Sequence, residues 1–577
     1  MQRSWQTQPI KPKEWRRVAG FTLFVLLMTT APYIFAWTRQ TDDLAFSGAL
    51  IGAEDANSYL SKMRLGARGE WAFRLFYTPE ETEGAFGFFL PYIATGQVIG
   101  AVVTDDAQLP AALMIGFQAM RIVCVAIFMV ALYRFIALFV TAQRTRYHAL
   151  VIAVFGGGLA WVLFFLAPHI DAPDLYIPEG YSFLIVYSLP HLALARAAML
   201  LGFAALITGT STRSGIIAGL WWWIVGLCVP FYFAVIYVVL GAWGLAVWIG
   251  TRRFPRELAI RGVIAGVITL PLFAYSAYVF ATNAAFAQWS AQNTLISPNV
   301  LAYVLGYLPL AGLAAFGIGA AWRRARISAR YWLLMAWVVI VPVLVYLPIN
   351  VQRRLAEGVI VPLAILGAMG ARRLFVRGYS TQARRWMGRF AIGTICLTSA
   401  MIIATGFLAG LARNQPVYVP TSELRALAWL QANAEPDDLV LAAWSTGNRI
   451  PVYTDLRPFV GLGPETLFAQ SKDEQVRRFY SEDLSLEALT SILVQPCLDR
   501  FRWSPGIITL SPNELSRLPL RLDNLRYTPT PSAECAVDYL YFGAAEREIA
   551  GGEMPSWAEG GNLVYDADGV MIYAVQQ

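Results

Sequence analysis

Residues 38–87 read TRQTDDLAFSGALIGAEDANSYLSKMRLGARGEWAFRLFYTPEETEGAFG, a long polar stretch that follows an apolar run at about 18–37. Lys11, Lys13, Arg16 and Arg17 stand just before that run. The run matches the ~20 apolar residues needed to cross a bilayer. A cleaved signal peptide is the competing reading, but no small-x-small cleavage site directly precedes Trp37. The run is therefore read as a first membrane span, entered from the basic side, and residues 38–87 as the loop that emerges opposite.

Further apolar runs lie near 110–139, 149–168, 186–209, 214–229, 231–250, 262–281, 299–320, 331–348, 356–371 and 391–411. Short basic loops separate many of them: AQRTRYH (142–148), TRRFPRELAIR (251–261), RRARISAR (323–330) and ARRLFVRGYSTQARRWMGR (371–389). With the N-terminus and Arg213 these carry 22 basic residues against two acids, Glu14 and Glu257. All of them fall on one side if the chain crosses 11 times, and the positive-inside rule makes that side cytoplasmic. The N-terminus is then cytoplasmic, in the plasma (inner) membrane, and the C-terminal region lies outside. That count omits FGFFLPYIATGQVIGAVV (86–103), which contains Pro91, Gly96 and Gly100 and is read as a helix in the outer interface. Residues 214–250 are barely long enough for two spans, with Pro230 at the turn; Trp221, Trp222 and Trp223 read as lipid or packing contacts.

Composition agrees with this outline. Of 577 residues 57% are hydrophobic and 14% charged, well below the roughly 25% charged of a soluble domain. The net charge of +7 is divided: residues 1–411 hold 32 Lys and Arg against 16 Asp and Glu, the remainder 13 against 22. The basic residues sit between apolar runs, where they orient a membrane protein, so nucleic acid is excluded as a partner. The expected fold class is an all-α polytopic membrane bundle of about 11 helices over 1–411, with interfacial helices in the outer loop 38–109. A C-terminal extracytoplasmic α/β domain is expected over 412–577.

Within that domain TSELRALAWLQANAEPDD reads as a helix capped by Thr421 or Ser422, LVLAAW (439–444) as a buried strand and NRIPVYTD as a second. Helices follow at about 465–480 and 485–494, then the strand GIITL (506–510), VDYLYFG, and a hairpin in NLVYDADGVMIYAV turning at Asp568-Gly569. No glycine-rich nucleotide fingerprint appears. Cys124, Cys228 and Cys396 lie in apolar runs; Cys497 and Cys535 lie in the tail, where a disulfide is open if that domain is extracytoplasmic.

The chemistry is sought in the first outer loop, which holds Asp42, Asp43, Glu54, Asp55, Glu70, Glu80, Glu81 and Glu83. Clustered acids cost solvation energy unless they bind cations or act as bases. Glu80, Glu81 and Glu83 read as ordinary solvated charges. Glu54 and Asp55 open an amphipathic helix, EDANSYLSKMRLGA, whose apolar side is Tyr59, Leu60 and Met63, so an acid there would be rigidly held. Arg121 and Arg196 stand inside apolar runs, where a charge is functional or paired. His191 shares a segment with Arg196, about 140° away around a helix. His169, Asp171, Asp174 and Glu179 read as a solvated second outer loop. Arg353 and Arg354 are basic residues on the expected outer side, against the trend; guanidinium suits phosphate oxygens, and snorkelling onto lipid phosphates is the alternative.

A first span, an acidic outer loop with Asp-x-x-x-Tyr (Asp55 to Tyr59) opening a helix, and a Gly-x-Trp (Gly69 to Trp71) resemble the family C (GT-C) glycosyltransferases. So do a Pro-containing juxtamembrane segment, Arg121 early in the next span, LPINVQRRLAEGVIVPLAILGA (347–368) and a terminal α/β domain. The resemblance is to the mannosyl- and aminoarabinose-transferase-like group that uses polyprenyl-phosphate sugars. It implies transfer of a sugar from a polyprenyl-phosphate donor, amid membrane lipids, to an extracytoplasmic glycan, lipid or protein acceptor. It implies Asp55 as the base or acceptor-orienting acid, with Glu54 beside it, Asp42 and Asp43 in reserve, and a divalent metal ion left open. In the family pattern a second acid follows the Asp, whereas here Ala56 follows and Glu54 precedes. Tyr59, Arg121, Arg353, Arg354, His191 and Arg196 are the substrate-binding candidates, and Arg449 in STGNRIPVY a further residue that could face the site. A lipid-linked-glycan flippase or other transporter, and a non-catalytic surface-assembly protein, are the alternative readings.

Overall fold

The computed structural model describes residues 9–374, 381–484, 492–493 and 536–575. Apolar segments become helices because in lipid each backbone N–H and C=O must be satisfied within its own segment. The helices up to residue 412 begin with α1 (Pro12–Thr38), α2 (Ala53–Ala67), α3 (Leu90–Gly100), α4 (Leu109–Phe139), α5 (Gln143–Phe155) and α6 (Ala160–Leu166). They continue with α7 (Ser182–Ser188), α8 (Pro190–Thr208), α9 (Thr212–Cys228), α10 (Tyr232–Thr251), α11 (Arg256–Thr282) and α12 (Ala284–Gln292). Then come α13 (Val300–Ala325), α14 (Arg330–Leu344), α15 (Ile360–Leu374), α16 (Thr381–Ile395) and α17 (Leu397–Ala412).

Eight of the described helical segments are long and apolar enough to cross a membrane, nine if the pair Trp386–Ile395 and Leu397–Ala412, bent by 51°, is one span. This makes the chain an integral membrane protein. Against the 11 expected spans, the runs at 214–229 and 331–348 give apolar helices shorter than a bilayer crossing, Arg213–Cys228 and Arg330–Leu344. The run at 186–209 is divided before Pro190, and 149–168 at Gly156, Gly157 and Gly158. The interfacial segment 86–103 yields α3, only 11 residues long, which at 1.5 Å per residue falls short of the hydrocarbon thickness.

The chain divides into two compact units. One comprises Met1–Ile34, Gln118–Ser276 and Leu295–Leu408; the other Phe35–Phe117, Ala277–Thr294 and Ala409–Gln577. In the first unit α13 and α15 approach through glycines: a methyl at Gly317 would overlap the Leu366 carbonyl, and one at Gly370 the Leu313 carbonyl. Small residues of this kind let membrane helices pack backbone to backbone. Trp222 is fully buried there against Phe203, in line with a packing role for the tryptophan run.

The second unit joins the first loop to the tail. Strand β1 (Leu44–Phe46) pairs antiparallel with β4 (Tyr418–Pro420), and β2 (Ala72–Phe73) with β3 (Ala85–Phe86). The tail sheet runs β6-β5-β7-β9-β8, with β5 (Leu439–Leu441) parallel to β6 (Arg457–Pro458) and β7 (Tyr539–Phe542). Strands β8 (Asn562–Ala567) and β9 (Val570–Ala574) form the expected hairpin, with Asp568 and Gly569 both at positive φ, as a two-residue primed turn requires. Helices α18 (Thr421–Asn433) and α20 (Ala469–Ser481) cover opposite faces: Val440 and Ala442 pack with Leu427 and Leu430, Leu439 and Leu441 with Val476 and Phe479. The short α21 (Ala544–Ile549) follows β7.

Three expectations for the tail and loop are corrected. Residues Trp444–Tyr453 form helix α19, not a strand; they are buried nearly all round, so their pattern has no helical period to read. Helix α18 has no side-chain cap, because Pro420 occupies its N-cap position and Thr421 is already the first helical residue; the Thr421 hydroxyl donates to the Asp42 carbonyl. Helix α2 is not amphipathic: Ser58, Ser61, Lys62 and Arg64 are buried along with Leu60 and Met63. The Cys497–Cys535 pairing, the strand GIITL and nearly all of the 485–494 helix lie outside the described residues.

α2 lies directly on α3. A methyl at Gly96 would overlap the Met63 carbonyl, and one at Gly66 the Ile93 carbonyl. Gly96→Val should therefore destabilise the protein by about 1–3 kcal/mol, the usual scale of overpacking. Thermal unfolding in detergent would measure this, and an unchanged midpoint would refute the close α2–α3 contact.

Candidate functional site

Helix α2 starts at Gly52, whose φ of 57° and lack of side-chain capping turn the chain abruptly into the helix. Its first turn carries Glu54 and Asp55, both solvent-exposed. They open into a cavity of about 310 Å³ lined by Gly52, Ala53, Glu54, Asp55, Asn57, Pro416, Ser445, Asn448 and Arg449. The volume is at the small end of ligand sites. Helix α19 forms the opposite wall. Glu54 is pushed above the ordinary carboxylate range, first by its partial enclosure; a hydrogen bond from Trp444 opposes this, and the negative charge of Asp55 adds to it.

The side of α2 away from the cavity mouth is polar and buried. Lys62 Nζ donates to Glu465 Oε1 at 2.7 Å and to the Ser58 hydroxyl, and stands 4.2 Å from the centre of the Phe89 ring. Burial lowers its pKa, against the raising effect of Glu465 and, more weakly, Asp55. Asn57 Nδ2 donates to Asn448 Oδ1 at 2.8 Å, and Tyr77 bridges the Ser61 hydroxyl and the Asn448 carbonyl. At the far end Arg64 and Arg68 both donate to Asp455 Oδ1, at 2.7 and 3.0 Å.

Of the expected residues, Glu54 and Asp55 meet at the cavity. Asp42 and Asp43 do not line it; they are exposed, and their carbonyls receive Thr421 beside the β1–β4 ladder. Tyr59 is stacked on Tyr92, centroids 4.6 Å apart, and faces Phe117. Arg449 lines the cavity, but its guanidinium is paired with the Glu423 carboxylate. Glu80 corrects the solvated reading: it is buried and held by Lys472 Nζ at 2.6 Å, whereas Glu81 and Glu83 are exposed as expected.

Arg121, His191, Arg196, Arg353 and Arg354 belong to the other compact unit. Arg196 is fully buried and bidentate to Glu357, at 2.6 and 2.8 Å, with further bonds to Ser182, Pro178 and Glu179. Arg121 donates to Thr29, Thr30, Gln118 and the Val186 carbonyl. His191 is buried at the first turn of α8. Arg353 lies over Tyr176, and Arg354 over Phe231 with Glu179 at 3.7 Å. The second outer loop is not wholly solvated either, since Asp174 and Glu179 are buried. Among the described residues no three His, Cys, Asp or Glu side chains gather as a metal site. The two cavity carboxylates fall short of an all-protein cage, and no step is assigned to a metal.

Sequence reasoning missed Trp444, Ser445, Asn448 and the Lys62–Glu465 and Arg196–Glu357 pairs. The signal present was a charge within each apolar or packed segment, but nothing local named its partner.

These features define a polytopic membrane protein with an acid-bearing cavity between α2 and α19. No family model and no curated protein sequence matches the chain. Among solved structures, the archaeal oligosaccharyltransferase AglB from Archaeoglobus fulgidus, in complex with an inhibitory peptide and a dolichol-phosphate, matches with a TM-score of 0.50. The likeness covers 96% of this chain and 74% of that one at 13% identity. ArnT from Cupriavidus metallidurans bound to undecaprenyl phosphate gives a TM-score of 0.48 over 96% and 98% of the two chains, also at 13% identity. At this identity the likeness to AglB is one of fold.

Asp455 offers a test of the network under α2. Burial raises its pKa, but Arg64 and Arg68 outweigh burial and leave it below the ordinary value. The folded state then binds fewer protons than the unfolded chain, so the stabilisation is present above about pH 4 and is lost as pH falls through the folded pKa. Asp455→Asn removes the carboxylate partner of buried Arg64 and should cost about 3 kcal/mol at pH 7. It should also flatten the acid limb of the unfolding midpoint against pH. An acid limb identical to wild type would show that Asp455 does not carry it.

Proposed function

We propose that this protein is an integral membrane glycosyltransferase that moves a sugar from a polyprenyl-phosphate donor to an acceptor on the extracytoplasmic face. The observation that carries this reading is the pair of carboxylates, Asp55 and Glu54, lining a small cavity in a chain with the GT-C fold. AglB and ArnT were solved with dolichol-phosphate and undecaprenyl phosphate respectively, which is the carrier chemistry proposed here. The reading takes the N-terminus as cytoplasmic, the side the basic loops favour, and the C-terminal α/β domain as lying on the opposite face, which an odd number of crossings requires.

In the proposed reaction Asp55 accepts the proton of an acceptor hydroxyl or amine. The freed lone pair forms a bond to the anomeric carbon as the bond from that carbon to the phosphate oxygen breaks. Polyprenyl phosphate departs. Positioned bases of this kind contribute roughly 10²–10⁴-fold. Asp55, exposed and free to meet an acceptor, suits the base, and Glu54, held by Trp444, suits a neighbour that orients the acceptor. Arg353 and Arg354 are assigned the donor phosphate, since each keeps a guanidinium only half-buried and phosphate pairs well with that group. Arg121, His191 and Arg196 are assigned to structure.

Proteoliposomes supplied with a labelled polyprenyl-phosphate sugar test this. Wild type should release polyprenyl phosphate, and Asp55→Asn should lower turnover by about 100-fold or more. Arg353→Ala/Arg354→Ala should raise the donor KM with less effect on kcat. Turnover by Asp55→Asn at the wild-type rate would move the base to Glu54, Asp42 or Asp43. Movement of intact donor across the bilayer without bond cleavage would replace the transferase reading with a transporter.

A further inference from the structure

The cavity has a wall that does more than enclose it. Asn448, on α19, is buried, and it uses both ends of its amide on α2. Its Oδ1 accepts from Asn57 Nδ2 at 2.8 Å, and its Nδ2 reaches the Glu54 carbonyl at 3.5 Å. Its own carbonyl accepts from Tyr77, which in turn shares a hydrogen bond with Ser61 one turn further along α2. Asn57 is buried as well, so neither amide can exchange its partner for bulk water without moving the helix. Gly447, the preceding residue, brings α19 into place: a methyl there would overlap the Val460 carbonyl.

The Glu54 carboxylate is held by a hydrogen bond from Trp444, and Asp55 has no comparable anchor among the described residues. Gly52 provides no side-chain cap, and the first N–H groups of a helix have no partners within it. The direction in which Glu54 and Asp55 leave α2 is therefore set by what holds residues 54–58: Trp444 at the Glu54 side chain, Glu465 and Lys62 at Ser58, and Asn448, which reaches both Asn57 and the Glu54 carbonyl. The geometry points to Asn448 as a positioning residue of the site: through Asn57 and the Glu54 carbonyl it fixes the first turn of α2, and so aims Asp55 into the cavity. This rests on the proposed role of Asp55, and it makes the C-terminal domain an integral part of the catalytic site rather than a cover over it.

The test uses full-length protein in proteoliposomes and reads two quantities. In Asn448→Ala the amides of residues 56–60 should exchange hydrogen about tenfold faster, while those of α18 and α20 keep wild-type rates. kcat should fall by about 30-fold, with the donor KM within about twofold, because small misplacement of a reacting group is costly without affecting donor binding. Asn57→Ala should do the same, and the double variant should be no worse than either single one, as expected for two members of one link. Wild-type exchange in residues 56–60, or additive losses in the double variant, would overturn the inference. A general rise in exchange with kcat and KM both impaired would also overturn it, by showing a structural role alone. If Asp55→Asn keeps wild-type turnover, the base assignment fails by itself. The exchange rates would still decide whether Asn448 holds α2.

Discussion

The placement of α2 is the constraint on which the second compact unit depends. This helix buries polar side chains on most of its circumference, which a loop helix resting on a lipid surface would not do. The Lys62 ammonium is the extreme case, wholly enclosed and neutralised by Glu465. A buried charge costs several kcal/mol unless it is paired and hydrogen-bonded, so α2 is stable only where Glu465, Asn448 and Asp455 are supplied together. Each comes from the tail. The cavity, the aim of its carboxylates and the packing on α3 follow from that requirement.

The membrane part obeys a parallel rule in a different solvent. Arg196 and Glu357 form a fully enclosed bidentate pair, with the remaining guanidinium protons taken by Ser182 and by the Pro178 and Glu179 carbonyls. Such a pair adds little net stability compared with apolar packing, but it tolerates no loss of one partner. Its effect is to specify which helices meet. The glycine contacts of α13 with α15 are the apolar counterpart, fixing a short interhelical distance through the absence of side chains.

How much of this was legible in the sequence depended on how local each signal was. The apolar runs, the break at Pro230 and the Asp568-Gly569 hairpin were readable because a span or a two-residue turn is specified within its own stretch. The α19 helix was not: NRIPVY alternates like a strand, and only its burial on all sides explains a helix there. Asp55 and Glu54 were identifiable as acids at a helix start in a place where acids need a reason. Their cavity was not, since Ser445 and Asn448 lie far along the chain and neither residue type stands out. Glu80 failed in the opposite way: it sits among solvated-looking acids, and its burial depends on Lys472, which no local pattern connects to it.

The distance along the chain between these partners has a consequence for biogenesis. Asn57 and Asn448 are separated by 391 positions, and Ser58 and Glu465 by 407. At a synthesis rate of about 5–20 residues per second, roughly 20–80 seconds pass between the emergence of α2 and that of the residues that neutralise it. Through that interval α2 stands without its counter-charges, while most of the helical bundle is synthesised after it. The acid-bearing turn thus cannot be shaped until nearly the whole chain has been made, so a truncated or stalled nascent chain carries the carboxylates but not the site.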